Sequence, residues 1–264
     1  MAFFTTNDGC KLHYEDVGSG KNLLLIHGWS QSSGLFKKNI PELSRHFRVI
    51  SLDLRGHGES EKITHGYRIA RFSKDVHDLI LNLELKDVTL LGWSMGCSIL
   101  WSYWDLFGSD RLSKLVLVDE PGLLLKTSDN EVGMSTYDEV LAMNKDILKD
   151  QAAFIKGFIN SSLTVALPKT DVDFIVAENL KTPAQYAARL ELHHWLTDWR
   201  DIIPTITIPT LILSGKKSFI NWKSQAWIHE KIAHSKIEYF EERGHFMFFE
   251  EPETFNRLVK NFIG

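Results

Sequence analysis

The sequence predicts an α/β protein: a mostly parallel sheet flanked by helices, with a helical insertion. Three observations predict it. Continuous apolar runs such as Leu23-Leu24-Leu25-Ile26 and Leu115-Val116-Leu117-Val118 alternate with stretches of helical periodicity. Uninterrupted apolar strands are those buried on both faces, as in a parallel sheet. A tight Gly92-Trp93-Ser94-Met95-Gly96 turn stands between the β-rich Val88-Thr89-Leu90-Leu91 and a helix-like run from Ser98 to Tyr103. Finally, the strand–helix alternation stops near residue 123 and resumes near 201, so 1–122 and 201–264 read as one core and 123–200 as a helical cap.

The elements follow in order. Residues 10–17 alternate roughly in polarity and read as an edge strand or hairpin arm, closed by Gly18-Ser19-Gly20. Leu23-Leu24-Leu25-Ile26 is a buried strand, and Phe47-Arg48-Val49-Ile50-Ser51-Leu52 the next. Helical spacing of Ile69, Phe72, Val76, Leu79, Ile80 and Leu83 predicts a helix over 69–83. After the serine turn, Trp101, Trp104, Leu106 and Phe107 read as core residues on a helix that Gly108 ends. The insertion offers helices over 136–148, 151–158, 172–180 and 183–195. Strands over 207–213 and 236–241, with helices over 222–232 and 253–262, complete the core.

Bulk properties narrow the function. The 264 residues suit one α/β domain with an insertion, and 44% hydrophobic with 24% charged residues is ordinary for a globular protein. A net charge of −4 offers no basic field for nucleic acid. Two cysteines, Cys10 and Cys97, imply no disulfide framework, and the eleven histidines form no metal-ligand spacing. The first nine residues lack the charged and apolar regions of a secretory signal, and no apolar run is long enough to span a membrane. A cytoplasmic location is the default expectation. No metal, cofactor, nucleic-acid or membrane partner is expected, and oligomeric state stays open.

The chemistry gathers where apolar strands end. A serine flanked by glycines on a strand-to-helix turn stands clear of the sheet, and the Met95 amide then faces a developing oxyanion. Gly28 lets the backbone approach a ligand, making the Trp29 amide the second such donor. Asp119 and Glu120 follow the Leu115–Val118 run, on the edge where ligands bind in open α/β sheets. His245 follows Gly244 after the last strand. His27 and His57 read as loop braces, Cys97 as a packing residue, and Asp53 with Arg55 as an internal ion pair. A helical cap would exclude water from the site. Its aromatics supply a pocket expected from Phe154, Phe158 and Trp195, with Trp93 from the core.

The order Ser…Asp/Glu…His, with His27-Gly28-Trp29, the stretch Asp53-Leu54-Arg55-Gly56-His57-Gly58-Glu59-Ser60, Gly92-Trp93-Ser94-Met95-Gly96 and Gly244-His245-Phe246, resembles the α/β-hydrolase fold over essentially the whole chain. The likeness is greatest to its cofactor-free haloperoxidase-like esterases. The resemblance implies Ser94 as nucleophile, His245 as base, and the Trp29 and Met95 amides as oxyanion hole. One departure stands out. Most relatives carry the triad acid in a Gly-X-X-Asp pattern after the strand equivalent to Leu211-Ile212-Leu213, and here that slot reads Gly215-Lys216-Lys217-Ser218. A minority place it after the earlier strand, where Asp119 and Glu120 stand. Asp119, directly after the apolar run, is the expected acid and Glu120 the alternative, with Asp198 and Asp201 as weaker substitutes. The expected function is a serine hydrolase that cleaves a small to medium, fairly apolar ester or lactone through an acyl-serine. The alternatives are a small-molecule receptor in signalling, or a cofactor-independent dioxygenase acting on a heteroaromatic. Haloalkane dehalogenation and epoxide hydrolysis need a carboxylate nucleophile, which Ser94 is not.

Overall fold

Period-two alternation along apolar strands sends successive side chains to opposite faces of a sheet. In the computed structural model, which describes residues 2–264, that alternation builds two cores. Eight strands form one sheet: β1 (Ala2–Thr5), β2 (Lys11–Gly18), β3 (Asn22–Ile26), β4 (Arg48–Leu52), β5 (Val88–Trp93), β6 (Leu112–Val118), β7 (Thr210–Gly215) and β8 (Ser235–Phe240). Their spatial order is β1-β2-β4-β3-β5-β6-β7-β8. β2 runs antiparallel to β1 and β4, and the remaining pairings are parallel. Residues 10–17 are therefore the inner arm of a hairpin; the edge is β1, in a segment from which no strand was expected.

Helices cover both faces. α1 (Ile40–Leu43), α9 (Met247–Glu250) and α10 (Pro252–Ile263) pack with Leu23, Leu25, Leu91, Val116 and Val118. α2 (Ile69–Asn82), α3 (Met95–Phe107) and α8 (Trp222–Lys231) pack with Leu24, Ile26, Leu90, Leu115 and Leu117. Between β6 and β7 lie α4 (Tyr137–Lys149), α5 (Gln151–Ser162), α6 (Lys169–Leu180) and α7 (Ala184–Trp195). Thr136 opens α4 with a full capping box, its hydroxyl on the Glu139 amide and the Glu139 carboxylate on its own amide.

Two expectations need correction. Leu106, read as core, is 45% exposed, because α3 turns only one stripe to the sheet and Leu106 falls outside it. Asp53 and Arg55 do not pair. Arg55, fully buried, makes a bidentate pair with Asp75 of α2, at 2.7 Å for each bond, and reaches Asp8 at 2.8 Å. Asp53 instead takes His13 Nδ1 at 2.8 Å and the amides of Ser33 and Glu59. Burial works to raise its pKa, yet these hydrogen bonds and nearby His27 hold it well below the usual carboxylate range.

Register converts this topology into a site. Trp93 lies opposite Val118, Val118 opposite Leu213, and Gly215 opposite Phe240. The residues that follow β5, β6, β7 and β8 thus emerge side by side at the carboxyl edge of the sheet, where ligands bind in open α/β folds.

Candidate active site

Ser94 follows β5 at φ 54° and ψ −129°, a conformation costly for any side-chain-bearing residue. Its amide donates to the Val118 carbonyl at 2.9 Å, and its carbonyl accepts from the Cys97 amide at 2.7 Å as α3 begins. The flanking glycines make room for this turn. A Cβ on Gly92 would sit 2.5 Å from the Gly96 backbone, and one on Gly96 2.5 Å from the Ile26 carbonyl oxygen. Among the described residues, the amides of Trp29 and Met95 donate to no protein acceptor.

Asp119 is fully buried directly after β6, also at positive φ, 52°. Its Oδ2 lies 2.8 Å from His245 Nδ1 and accepts from Ser218 Oγ at 2.6 Å, while Oδ1 accepts from the Gly215 amide at 3.2 Å. Three donors on one buried carboxylate satisfy it and fix its rotamer. Glu120 turns the other way and meets His194 Nε2 of α7 at 2.7 Å. His245 is itself held from below, because Trp93 Nε1 donates to its carbonyl at 2.9 Å. With Nδ1 on a carboxylate, the imidazole keeps Nε2 as the nitrogen able to take a proton.

A cavity of about 80 Å³ opens beside Ser94. Trp29, Phe154, Phe158, Trp195 and Phe219 give it aromatic walls. The Phe154 and Phe158 rings meet Trp29 edge-on at 6.2 and 6.3 Å, and Phe219 lies 4.6 Å from the His245 ring. Cap and core each contribute. Trp29 Nε1 donates to the Ala187 carbonyl of α7 at 2.9 Å. A larger open hollow, about 440 Å³, is lined by Gly122, Asp129, Arg200 and Trp227 and includes neither Ser94 nor His245.

A model of the alpha/beta hydrolase fold matches residues 21–252. The chain belongs to this family. It is 29% identical to a non-heme chloroperoxidase of Kitasatospora aureofaciens over 81% of this chain and 80% of that one. Among solved structures it is similar to an esterase from Exiguobacterium antarcticum, with TM-score 0.95, 31% identity and coverage of 100% and 99% of the two chains. It is also similar to a bromoperoxidase from Bacillus anthracis, with TM-score 0.94, 27% identity and 99% of each chain covered. These relatives support the likeness to the cofactor-free haloperoxidase-like branch.

In this member of the alpha/beta hydrolase family, Trp93 does not line the cavity. It shares a face of β5 with Leu91 and packs on Phe246 and Phe248, because residues two apart on a strand point the same way. His27 and His57 are braces. His27 Nε2 accepts from the Leu54 amide at 3.1 Å, and His57 Nδ1 contacts the Arg55 carbonyl at 2.9 Å. Burial lowers the pKa of both, that of His57 to about 3 with His27 beside it, so both are neutral at pH 7. Burial likewise raises the Cys97 thiol well above its usual range, which leaves an unreactive thiol packed on the Gly92 carbonyl. Asp198 pairs with Arg200 at 2.7 Å. Among the described residues no three His, Cys, Asp or Glu side chains are grouped to hold a metal.

Sequence reasoning missed Ser218, Phe219, Glu191 and His194. Phe219 and Ser218 follow a strand end and could have been flagged by position. His194 and Glu191 carry no local signal, since the partners that bring them to the cavity lie elsewhere in the chain.

Proposed function

We propose that this protein is a carboxylic ester hydrolase that cleaves a small, fairly apolar ester or lactone through an acyl-serine. The observation that carries the reading is the 2.8 Å contact of buried Asp119 with His245 Nδ1, at the sheet edge that also carries a serine strained onto a strand-to-helix turn. In this reading Ser94 Oγ attacks the acyl carbon as His245 Nε2 takes its proton. Asp119 stabilises the imidazolium that forms. The Trp29 and Met95 amides receive the oxyanion, each such donor being worth about 2.7–4 kcal/mol in the barrier. The intermediate expels the alcohol, which receives the proton from His245. Water, deprotonated by His245, then releases the acid and restores Ser94.

The test is hydrolysis of p-nitrophenyl acetate and butyrate. Wild type is expected to turn over with an initial burst of p-nitrophenol. Ser94→Ala and Asp119→Asn are expected to lose about a thousandfold or more in kcat, while Asp198→Asn stays at wild-type level. No turnover by wild type on either ester would sink the reading and favour a receptor or a dioxygenase. The names of the chloroperoxidase and bromoperoxidase relatives favour one variation, in which hydrogen peroxide replaces water at the second step and the product is a peracid. Peracid formation in the same assay with added peroxide measures that branch.

A further inference from the structure

The cavity beside Ser94 is lined mostly by apolar and aromatic side chains, and its charged or ionisable lining residues are Glu120, Glu191 and His194. Glu120 is the residue next to Asp119, yet it has no part in holding His245. Its side chain is only 1% exposed, and one oxygen, Oε1, is engaged by His194 Nε2 at 2.7 Å. The other, Oε2, is buried and has no hydrogen-bond partner among the described residues. A tie between the core loop and cap helix α7 would account for Oε1. It does not account for a second, buried carboxylate oxygen without a partner on a residue that lines the cavity, since buried acceptors without partners are strongly disfavoured unless something completes them.

We propose that Glu120, oriented by His194, is a substrate-recognition residue whose free oxygen accepts a hydrogen bond from a hydroxyl or amide N–H of the substrate. The inference rests on this cavity being the substrate site. It narrows the class from apolar esters in general to small acyl compounds bearing one such donor. It also disfavours substrates carrying a carboxylate, which would meet Glu120 and Glu191 together. A site built around a fixed polar partner rejects an analogue lacking that group far more strongly than an apolar wall rejects a missing methylene.

Binding tests this without turnover. Butan-1-ol and its isomer methyl propyl ether have the same atoms, but only the alcohol can donate. Trp29 and Trp195 line the cavity, so tryptophan fluorescence reports occupancy. Wild type is expected to bind the alcohol at least about fivefold tighter than the ether. Glu120→Met is expected to bring the two within about twofold, and Glu120→Gln, which keeps a carbonyl acceptor, to hold part of the preference. Equal affinities in wild type, binding of neither isomer, or an alcohol preference that survives Glu120→Met would overturn the proposal. Should Glu120→Met not fold, the wild-type ratio and Glu120→Gln decide. A protein that hydrolyses p-nitrophenyl esters without favouring the alcohol loses this inference alone. One that favours the alcohol and hydrolyses no ester loses the hydrolase reading alone.

Discussion

At Asp119, a single carboxylate oxygen carries two short hydrogen bonds, from Ser218 Oγ at 2.6 Å and with His245 Nδ1 at 2.8 Å. Ser218 occupies the slot where most relatives are expected to keep an acid, and here it hydrogen-bonds Asp119, the acid proposed in its place. Ser218→Ala is expected to lower kcat about tenfold by freeing the carboxylate, and Ser218→Thr, which keeps the hydroxyl, to restore most of it. Because the two side chains touch, Ser218→Asp in an Asp119→Asn background is expected to recover at least about tenfold of the activity lost. Failure of both would mean that Ser218 does not position Asp119. Glu191 supplies a different residue-scale prediction. Burial raises its pKa from 4.5 to about 7, against a lowering hydrogen bond from Asn144. A carboxyl whose folded-state pKa is the higher one burdens the fold once ionised. The burden is full above about pH 7 and is relieved as pH falls from 7 toward 4.5. Glu191→Gln is expected to flatten that dependence and add up to about 3 kcal/mol at pH 8, measured by urea unfolding at several pH values.

Elements are held together by a few buried polar anchors as well as by the two apolar cores. Arg55 follows β4 and clamps Asp75 of α2, while Arg71 of α2 reaches Asn7 and Asp78. These bonds tie the β1–β2 turn, the loop after β4 and one helix into a unit. Removing one partner leaves a buried guanidinium without its carboxylate, so Asp75→Asn is expected to cost about 3–5 kcal/mol in denaturant unfolding. A loss under about 1 kcal/mol would show that Asp8 and solvent replace the partner. The aromatic pairs tell a similar story between cap and core, where Tyr67 stacks on Tyr186 of α7 at 4.3 Å.

On the scale of the whole molecule, four helices inserted between β6 and β7 close the carboxyl edge of the sheet and leave a narrow space. Its volume of about 80 Å³ lies well under the roughly 300–1,000 Å³ of pockets that hold drug-sized ligands. Activity on p-nitrophenyl esters is therefore expected to fall steeply beyond the butyryl chain. Phe158 packs against both Trp29 and Phe219 on the cavity wall, so Phe158→Ala is expected to move the optimum to longer chains by two or more carbons. A flat wild-type chain-length profile would show that the cap opens on binding rather than setting a fixed limit.

The sequence by itself determined what depends on near neighbours in the chain. Apolar runs that must be buried on both faces became β3, β5, β6 and β7, and a serine between glycines became a strained strand-to-helix turn. Helical periodicity marked α2, and the loss of strand–helix alternation marked the insertion. Tertiary structure alone decided the direction in which side chains turn. Asp119 and Glu120 are adjacent in sequence, yet one faces His245, 126 residues on, and the other faces His194, 74 residues on. Position directly after the apolar run favours Asp119, but the opposite turns of the two side chains depend on the positive φ at Asp119 and on partners from β7, the loop after β8 and α7, which come together only once the sheet is assembled. Trp93 went to the core for the same kind of reason, since the pleat of β5 ranks above its composition. Arg55 chose Asp75 over the nearer Asp53 because helix α2 delivers a carboxylate in bidentate geometry, and spacing along the chain does not record geometry.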